Sequence, residues 1–136
     1  MRVVIDTNVL LMSIPKISKY RRIFDKLISG DITLLITNEI LSEYLEIIEK
    51  KTTHEIAINF AELLLKLPNV EKVEVYYKWS LISADKDDNK FCDCAISAGA
   101  KFLVSNDKHF DVLKSNLFPP IELKSALAFL EELGDK

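Results

Sequence analysis

The chain has 136 residues, 49% hydrophobic and 29% charged, with three Gly and four Pro. That is the size and balance of one soluble globular domain with a core, and it excludes a disordered or collagen-like chain. A formal net charge of −3 excludes a chain basic enough to announce nucleic-acid binding by composition, so any such binding has to be local.

Arg2-Val3-Val4-Ile5 is a short apolar run ending at Asp6, and it predicts a buried strand. Tyr20, Ile23, Phe24, Leu27 and Ile28 predict an amphipathic helix over 18–29, stopped by Gly30. Ile32 to Ile36 reads as a second strand, followed by Thr37 or Asn38 as an N-cap and a helix to about Lys51. Thr52 or Thr53 caps a further helix through Ile56, Phe60, Leu63, Leu64 and Leu67, closed by Pro68. Val70 to Tyr76 alternates like a strand; Asp87-Asp88-Asn89 opens a helix to Ala100; Lys101 to Ser105 is a strand ending at Asn106-Asp107. A short helical turn is expected after Asp107. Beyond Pro119-Pro120, Ile121 to Leu123 reads as an edge strand and 124–133 as a terminal helix.

Strands separated by helices predict a three-layer α/β/α sandwich with a central, mostly parallel sheet, built as a single domain over 1–136. No repeat, low-complexity tract or linker divides the chain. No apolar run approaches the roughly 20 residues of a membrane span, and Met1 leads into the first strand without a signal-peptide pattern. The expectation is a cytoplasmic protein with no membrane partner. Cys92 and Cys94, two apart on a helix, point about 200° away from each other and suit core packing better than a disulfide or a shared metal.

In an open parallel sheet, ligands sit beyond the carboxyl ends of the strands. Asp6 and Asp107 each follow a predicted strand, so they open into one crevice if the two strands are neighbours. Helix caps or Asx-turns account for either residue taken alone. Asp93 is the one charge on a helix of small and apolar residues, Phe91 to Ala100. A carboxylate buried there has to be paired, hydrogen-bonded or metal-bound, and a salt bridge to Lys or Arg is the plain alternative.

Asp87 and Asp88 open that helix, where Asp88 or Asn89 serves as an N-cap. Glu43 shares a helix face with Glu39 and Glu46, an ordinary acidic stripe except that the helix follows a strand leading to the crevice. His54 and His109 stand apart in sequence and read as surface groups, which argues against zinc. Lys16, Lys19, Arg21, Arg22 and Lys26 form the densest basic stretch, a candidate RNA-binding strip or a solvated helix face.

Gathered carboxylates repel one another unless a cation compensates, and hard oxygen donors suit Mg²⁺ or Mn²⁺. Such a site hydrolyses phosphodiesters. Asp6, Asp93 and Asp107 are the expected metal ligands, with Glu43 as the group that orients or deprotonates the attacking water.

These motifs resemble the PIN-domain family, in particular its prokaryotic toxin-like branch, over nearly the whole chain. Val3 to Leu10 is similar to the family's first acidic motif, including Asn8, and Thr37 to Tyr44 to the segment that supplies the second acid, at Glu43. Asp85 to Ala100 is similar to the third block, in which Asp88 and Asp93 each match a motif acid in different parts of the family. Phe102 to Lys108 resembles the hydroxyl-x-Asp motif, with Ser105 where Thr is usual and Asn106 where Gly or Arg is frequent. The resemblance implies a Mg²⁺- or Mn²⁺-dependent endoribonuclease acting on RNA, a homodimer, and the toxin half of a toxin-antitoxin pair blocked by a small antitoxin protein.

Two other classes fit parts of the pattern. One is a phosphoryl-transfer α/β domain with Asp6 as nucleophile, although Asn8 stands where a dehalogenase-like phosphatase would need a second Asp. The other is a non-catalytic binding module on the same fold, distinguished by taking up no metal.

Overall fold

Val3, Val4 and Ile5, Leu34 to Ile36 and Phe102 to Val104 are all buried, as expected of strands covered on both sides. The computed structural model describes residues 1–82, 85–115 and 119–134. It pairs five strands, β1 (Arg2–Ile5), β2 (Thr33–Ile36), β3 (Val70–Lys72), β4 (Phe102–Val104) and β5 (Leu123–Lys124), in the order β3-β2-β1-β4-β5. Every pairing is parallel. Six α-helices among the described residues flank this sheet: α1 (Thr7–Ser13), α2 (Arg21–Ser29), α3 (Asn38–Lys51), α4 (His54–Lys66), α5 (Asn89–Ala98) and α6 (Ala126–Leu133).

The helix starts follow local chemistry. Thr37, Thr53 and Ser125 each accept a hydrogen bond from a backbone N–H three residues on, satisfying one of the four amides a helix start leaves open. Gly99 ends α5 at φ 63°, a left-handed conformation that costs a residue with Cβ, and its N–H reaches the Ala95 and Ile96 carbonyls. Small residues let α5 lie against β1, β2 and β4, with Phe91, Cys92, Cys94 and Ala95 buried. Burial pushes both free thiols up to about 12, so they are inert packing groups.

Three expectations change. Helix α1 was read only as a turn or cap, because seven residues with one buried face carry little periodicity. The strand expected over Val70 to Tyr76 stops at Lys72, and residues 73–82 run on without regular structure. The basic helix begins at Arg21, so Lys16 and Lys19 precede it.

Candidate metal centre

The chain leaves β1 for β2 and β3 on one side and returns to place β4 and β5 on the other. The crevice between β1 and β4 is therefore the topological switch point where parallel sheets bind ligands. Ile5 registers with Val104, and the Asp6 N–H donates to the Val104 carbonyl at 2.9 Å. Asp6 and Ser105 thus emerge side by side.

Asp6 caps α1, its Oδ1 accepting from the Thr7 N–H at 2.8 Å, while Oδ2 accepts from Ser105 Oγ at 2.8 Å. The same Ser105 hydroxyl accepts from the Asp107 N–H at 3.0 Å. One hydroxyl therefore ties both strand-end acids together. Burial raises the Asp6 pKa above its ordinary value, the Ser105 and Thr7 hydrogen bonds oppose this, and the charges of Glu43 and Asp107 raise it further.

Glu43 reaches the same place from α3. The next residue, Tyr44, is fully buried and its hydroxyl donates to the Ile5 carbonyl, which fixes α3 against the end of β1. Glu43 Oε2 accepts from the Thr7 hydroxyl, and its Oε1 lies 2.7 Å from Lys90 Nζ.

The third acid in this cluster is Asp88. It is buried at the start of α5, and burial pushes its carboxyl up to about 6, with the charges of Asp85, Asp6 and Asp107 adding to the rise. His109 Nδ1 stands 3.4 Å from Asp88 Oδ2 and 3.5 Å from Asp107 Oδ1. One ligand atom each from Asp85, Asp88 and His109 lies within 4.8 Å of the others.

Asp93, expected as a metal ligand, faces other groups than Asp6 and Asp107 do. Its Oδ1 accepts from the Trp79 N–H at 3.0 Å, and the charges acting on it are Lys78 and Glu39, not Asp6 or Asp107. The requirement that a buried carboxylate be satisfied holds, but a backbone amide of the 73–82 segment meets it. Asn89 makes the matching contact, exchanging hydrogen bonds of 2.8 and 3.0 Å with the Ile82 N–H and carbonyl.

The basic strip changes as well. Arg21 bonds Asp25 and the Ile14 carbonyl and stacks on Phe24, and Arg22 donates to the Leu130 carbonyl at 2.8 Å. Both guanidiniums serve the fold, leaving Lys16 and Lys19 as exposed cations. Asn8 is exposed in the first turn of α1. Thr7, Lys90 and His109 were not singled out for the site. Thr7 adjoins Asp6 and carried a readable signal as a helix-start hydroxyl, whereas His109 is 21 residues from Asp88 and only the fold brings them together.

The donor set fits a hard divalent cation. Asp6, Glu43, Asp88 and Asp107 offer carboxylate oxygens, the donors such an ion takes; burial is the main cause of the raised proton affinity at Asp6 and Asp88, with the neighbouring acids adding to it.

The PIN domain family model matches residues 2–109. No curated protein matches the chain. Among solved structures, the fold is similar to VapBC2 from Rickettsia felis bound to a DNA fragment from its promoter: 19% identity, TM-score 0.63, covering 92% of this chain and 98% of that one. It is similar to VapBC-1 from nontypeable Haemophilus influenzae, with 15% identity, TM-score 0.63, and coverage of 93% and 99%. PAE2754 from Pyrobaculum aerophilum gives 14% identity, TM-score 0.62, and coverage of 100% and 91%. The matched span takes in the strand-end acids Asp6 and Asp107, Glu43 of α3 and Asp88 ahead of α5, and the chain belongs to the PIN domain family.

Proposed function

We propose that the protein is a Mg²⁺- or Mn²⁺-dependent endoribonuclease and the toxin of a toxin-antitoxin pair. The observation that carries this reading is the gathering of Asp6, Asp107 and Glu43 at the switch point through Ser105 and Thr7, with Asp88 near enough for the charges of Asp6 and Asp107 to add to the rise that burial gives it. Asp6, Asp88 and Asp107 would hold the ion. Bound there, a divalent cation supplies a water of lowered pKa and neutralises charge on the phosphate.

The protein's own groups do the rest. Ser105 orients the Asp6 carboxylate and holds the Asp107 backbone N–H, and Thr7 and Lys90 fix Glu43 from either side. Glu43 would accept the proton of the attacking water, with Lys90 beside it holding the carboxylate in place. The likeness in fold to two VapBC structures supports the toxin reading, with a small antitoxin protein and a second copy of the chain as partners. An apolar groove of about 370 Å³ beside Leu11, Ile14, Phe24, Phe60 and Leu63 offers surface of the kind such partners cover. No helix among the described residues is long and apolar enough to cross a membrane.

The test incubates the pure chain with structured and single-stranded RNA plus Mn²⁺, beside EDTA and Asp6→Asn controls. Cleavage abolished in both controls is expected, with DNA of the same sequence as the comparison substrate. Equal activity in all three tubes refutes the reading. Failure to take up Mn²⁺ at all returns the chain to a binding module, and a stable aspartyl-phosphate on Asp6 to a phosphoryl-transfer domain.

A further inference from the structure

Beside the acid cluster, a polar cavity of about 420 Å³ lies between the start of α3, the start of α5 and the irregular segment 73–82. That volume falls in the range of small-molecule sites and accommodates a nucleotide. Lys90 belongs to both places, lining the cavity while its Nζ pairs with Glu43 at 2.7 Å. The cavity and the acid cluster are therefore neighbours that share Lys90. Lys72, Lys78 and Lys86 also line it, alongside Glu74 and Asp87, and none of the three lysines forms a salt bridge among the described residues.

The wall is a built feature rather than a slack loop. Asp93 holds the Trp79 N–H, Asn89 holds Ile82 by two hydrogen bonds, and between these anchors Ser80 adopts φ 52°, a left-handed conformation that a non-glycine residue keeps only when its surroundings impose it. Val75, Lys78 and Ser80 line the cavity. Tyr76, Tyr77 and Trp79 lie on the same segment outside the lining, at its rim; Tyr76 is 92% exposed and Tyr77 63%, and the Tyr77 and Trp79 rings meet edge to face at 4.6 Å. Exposed aromatic rings beside lysines form a surface on which unpaired bases stack while ammonium groups follow the backbone. Thr37, Asn38 and Glu39 at the inner end add donors and acceptors of both kinds, which suits the edge of a base better than a bare anion.

We propose that this cavity and the exposed aromatic rim beside it form a subsite for single-stranded RNA, holding a nucleotide next to the phosphodiester at the acid cluster, with Asp93 and Asn89 as the residues that position the segment carrying both. The proposal deepens the nuclease reading and rests on it for the identity of the ligand. A duplex cannot use the site, because its bases are already stacked and their edges paired.

The test uses the full chain in EDTA and an unlabelled, non-self-complementary eight-nucleotide RNA. The emission of Trp79, the one tryptophan of the chain, reports binding. The RNA is expected to change that emission saturably. The double variant Lys72→Ala/Lys78→Ala should weaken binding about tenfold and lower the slope of log K against log salt by about 1.4, since each phosphate contact on a single strand contributes about 0.7. Tyr77→Ala should weaken it roughly five- to tenfold. Asp93→Ala should weaken it while Asp93→Asn, whose amide oxygen still accepts from the Trp79 N–H, restores it; a metal-ligating Asp would not be rescued by Asn.

Unmoved Trp79 emission at saturating RNA, a lysine variant with wild-type affinity and salt slope, or equal binding of the matching duplex each overturns the subsite. If Asp93→Ala fails to fold, the lysine and Tyr77 variants decide alone. The two readings separate cleanly: lysine-dependent binding without any Mn²⁺-dependent cleavage refutes the nuclease and leaves the subsite, whereas Asp6-dependent cleavage with a KM indifferent to Lys72 and Lys78 refutes the subsite only.

Discussion

Replacing Asp88 by Asn should make the metal-free protein more stable while removing its response to metal. The carboxyl is pushed from 3.8 up to about 6 by burial and by the charges of Asp85, Asp6 and Asp107. A rise of that size corresponds to about 3 kcal/mol against the charged form. The side chain is 13% exposed, and water reaching it screens the repulsion, so about 1–2 kcal/mol is the expected gain. The sign follows from proton binding. An acid that holds its proton more tightly when folded stabilises the fold below the unfolded pKa, and this contribution is lost as pH rises through the folded value. Wild-type stability in EDTA should therefore fall between about pH 4 and pH 6 and level off above that, by this group's contribution.

Asn cannot ionise, so its advantage should be present at pH 7.5, on the order of 5 °C in Tm, and absent at pH 4. Thermal and urea unfolding at both pH values, with EDTA and then with Mn²⁺, measure it. At about 100 times its Kd, Mn²⁺ should stabilise wild type by roughly 2.7 kcal/mol and leave Asp88→Asn nearly unchanged. An Asn variant less stable than wild type at pH 7.5 in EDTA, or a gain of equal size at pH 4, would refute the electrostatic account.

Two further substitutions probe the supports of the site. Ser105→Ala removes the hydrogen bond that opposes the rise at Asp6, so the acidic limb of the cleavage-pH profile should move to higher pH, and Ser105→Thr should return it; a profile that Ala leaves in place would show that Ser105 does not tune Asp6. Tyr44→Phe deletes the hydroxyl that fixes α3 to the Ile5 carbonyl and should cost about 1–3 kcal/mol in urea unfolding, with kcat falling more than KM rises because Glu43 is the next residue.

The residues differ in how far they could be read in advance. Runs such as Val3-Val4-Ile5 and Phe102-Leu103-Val104 announce buried strands because nothing polar interrupts them, and the acid after each is visible once the sheet is inferred to be parallel. Helix α3 and its Thr37 cap were legible for the same local reasons, and with them the position of Glu43 one residue before the buried Tyr44. The strand expected through Tyr76 failed because alternation alone does not supply a partner: β3 pairs with β2 only as far as Lys72, and beyond it the backbone is taken by Asp93 and Asn89 instead.

Asp88 and Asp93 divide what each level of information can decide. Local sequence establishes that both carboxylates sit on or beside one helix and that a buried one has to be satisfied, because those consequences follow from helix periodicity and the cost of burying charge. Asp88 ends a 3-10 turn ahead of α5 while Asp93 lies within α5, so helix periodicity does not settle which of the two faces the crevice. Which one does depends on how α5 rests on β1, β2 and β4, and that placement is fixed by packing between residues far apart in the chain. The tertiary structure alone sets Asp88 beside Asp85 and His109, within reach of the charges of Asp6 and Asp107, and Asp93 against the Trp79 amide.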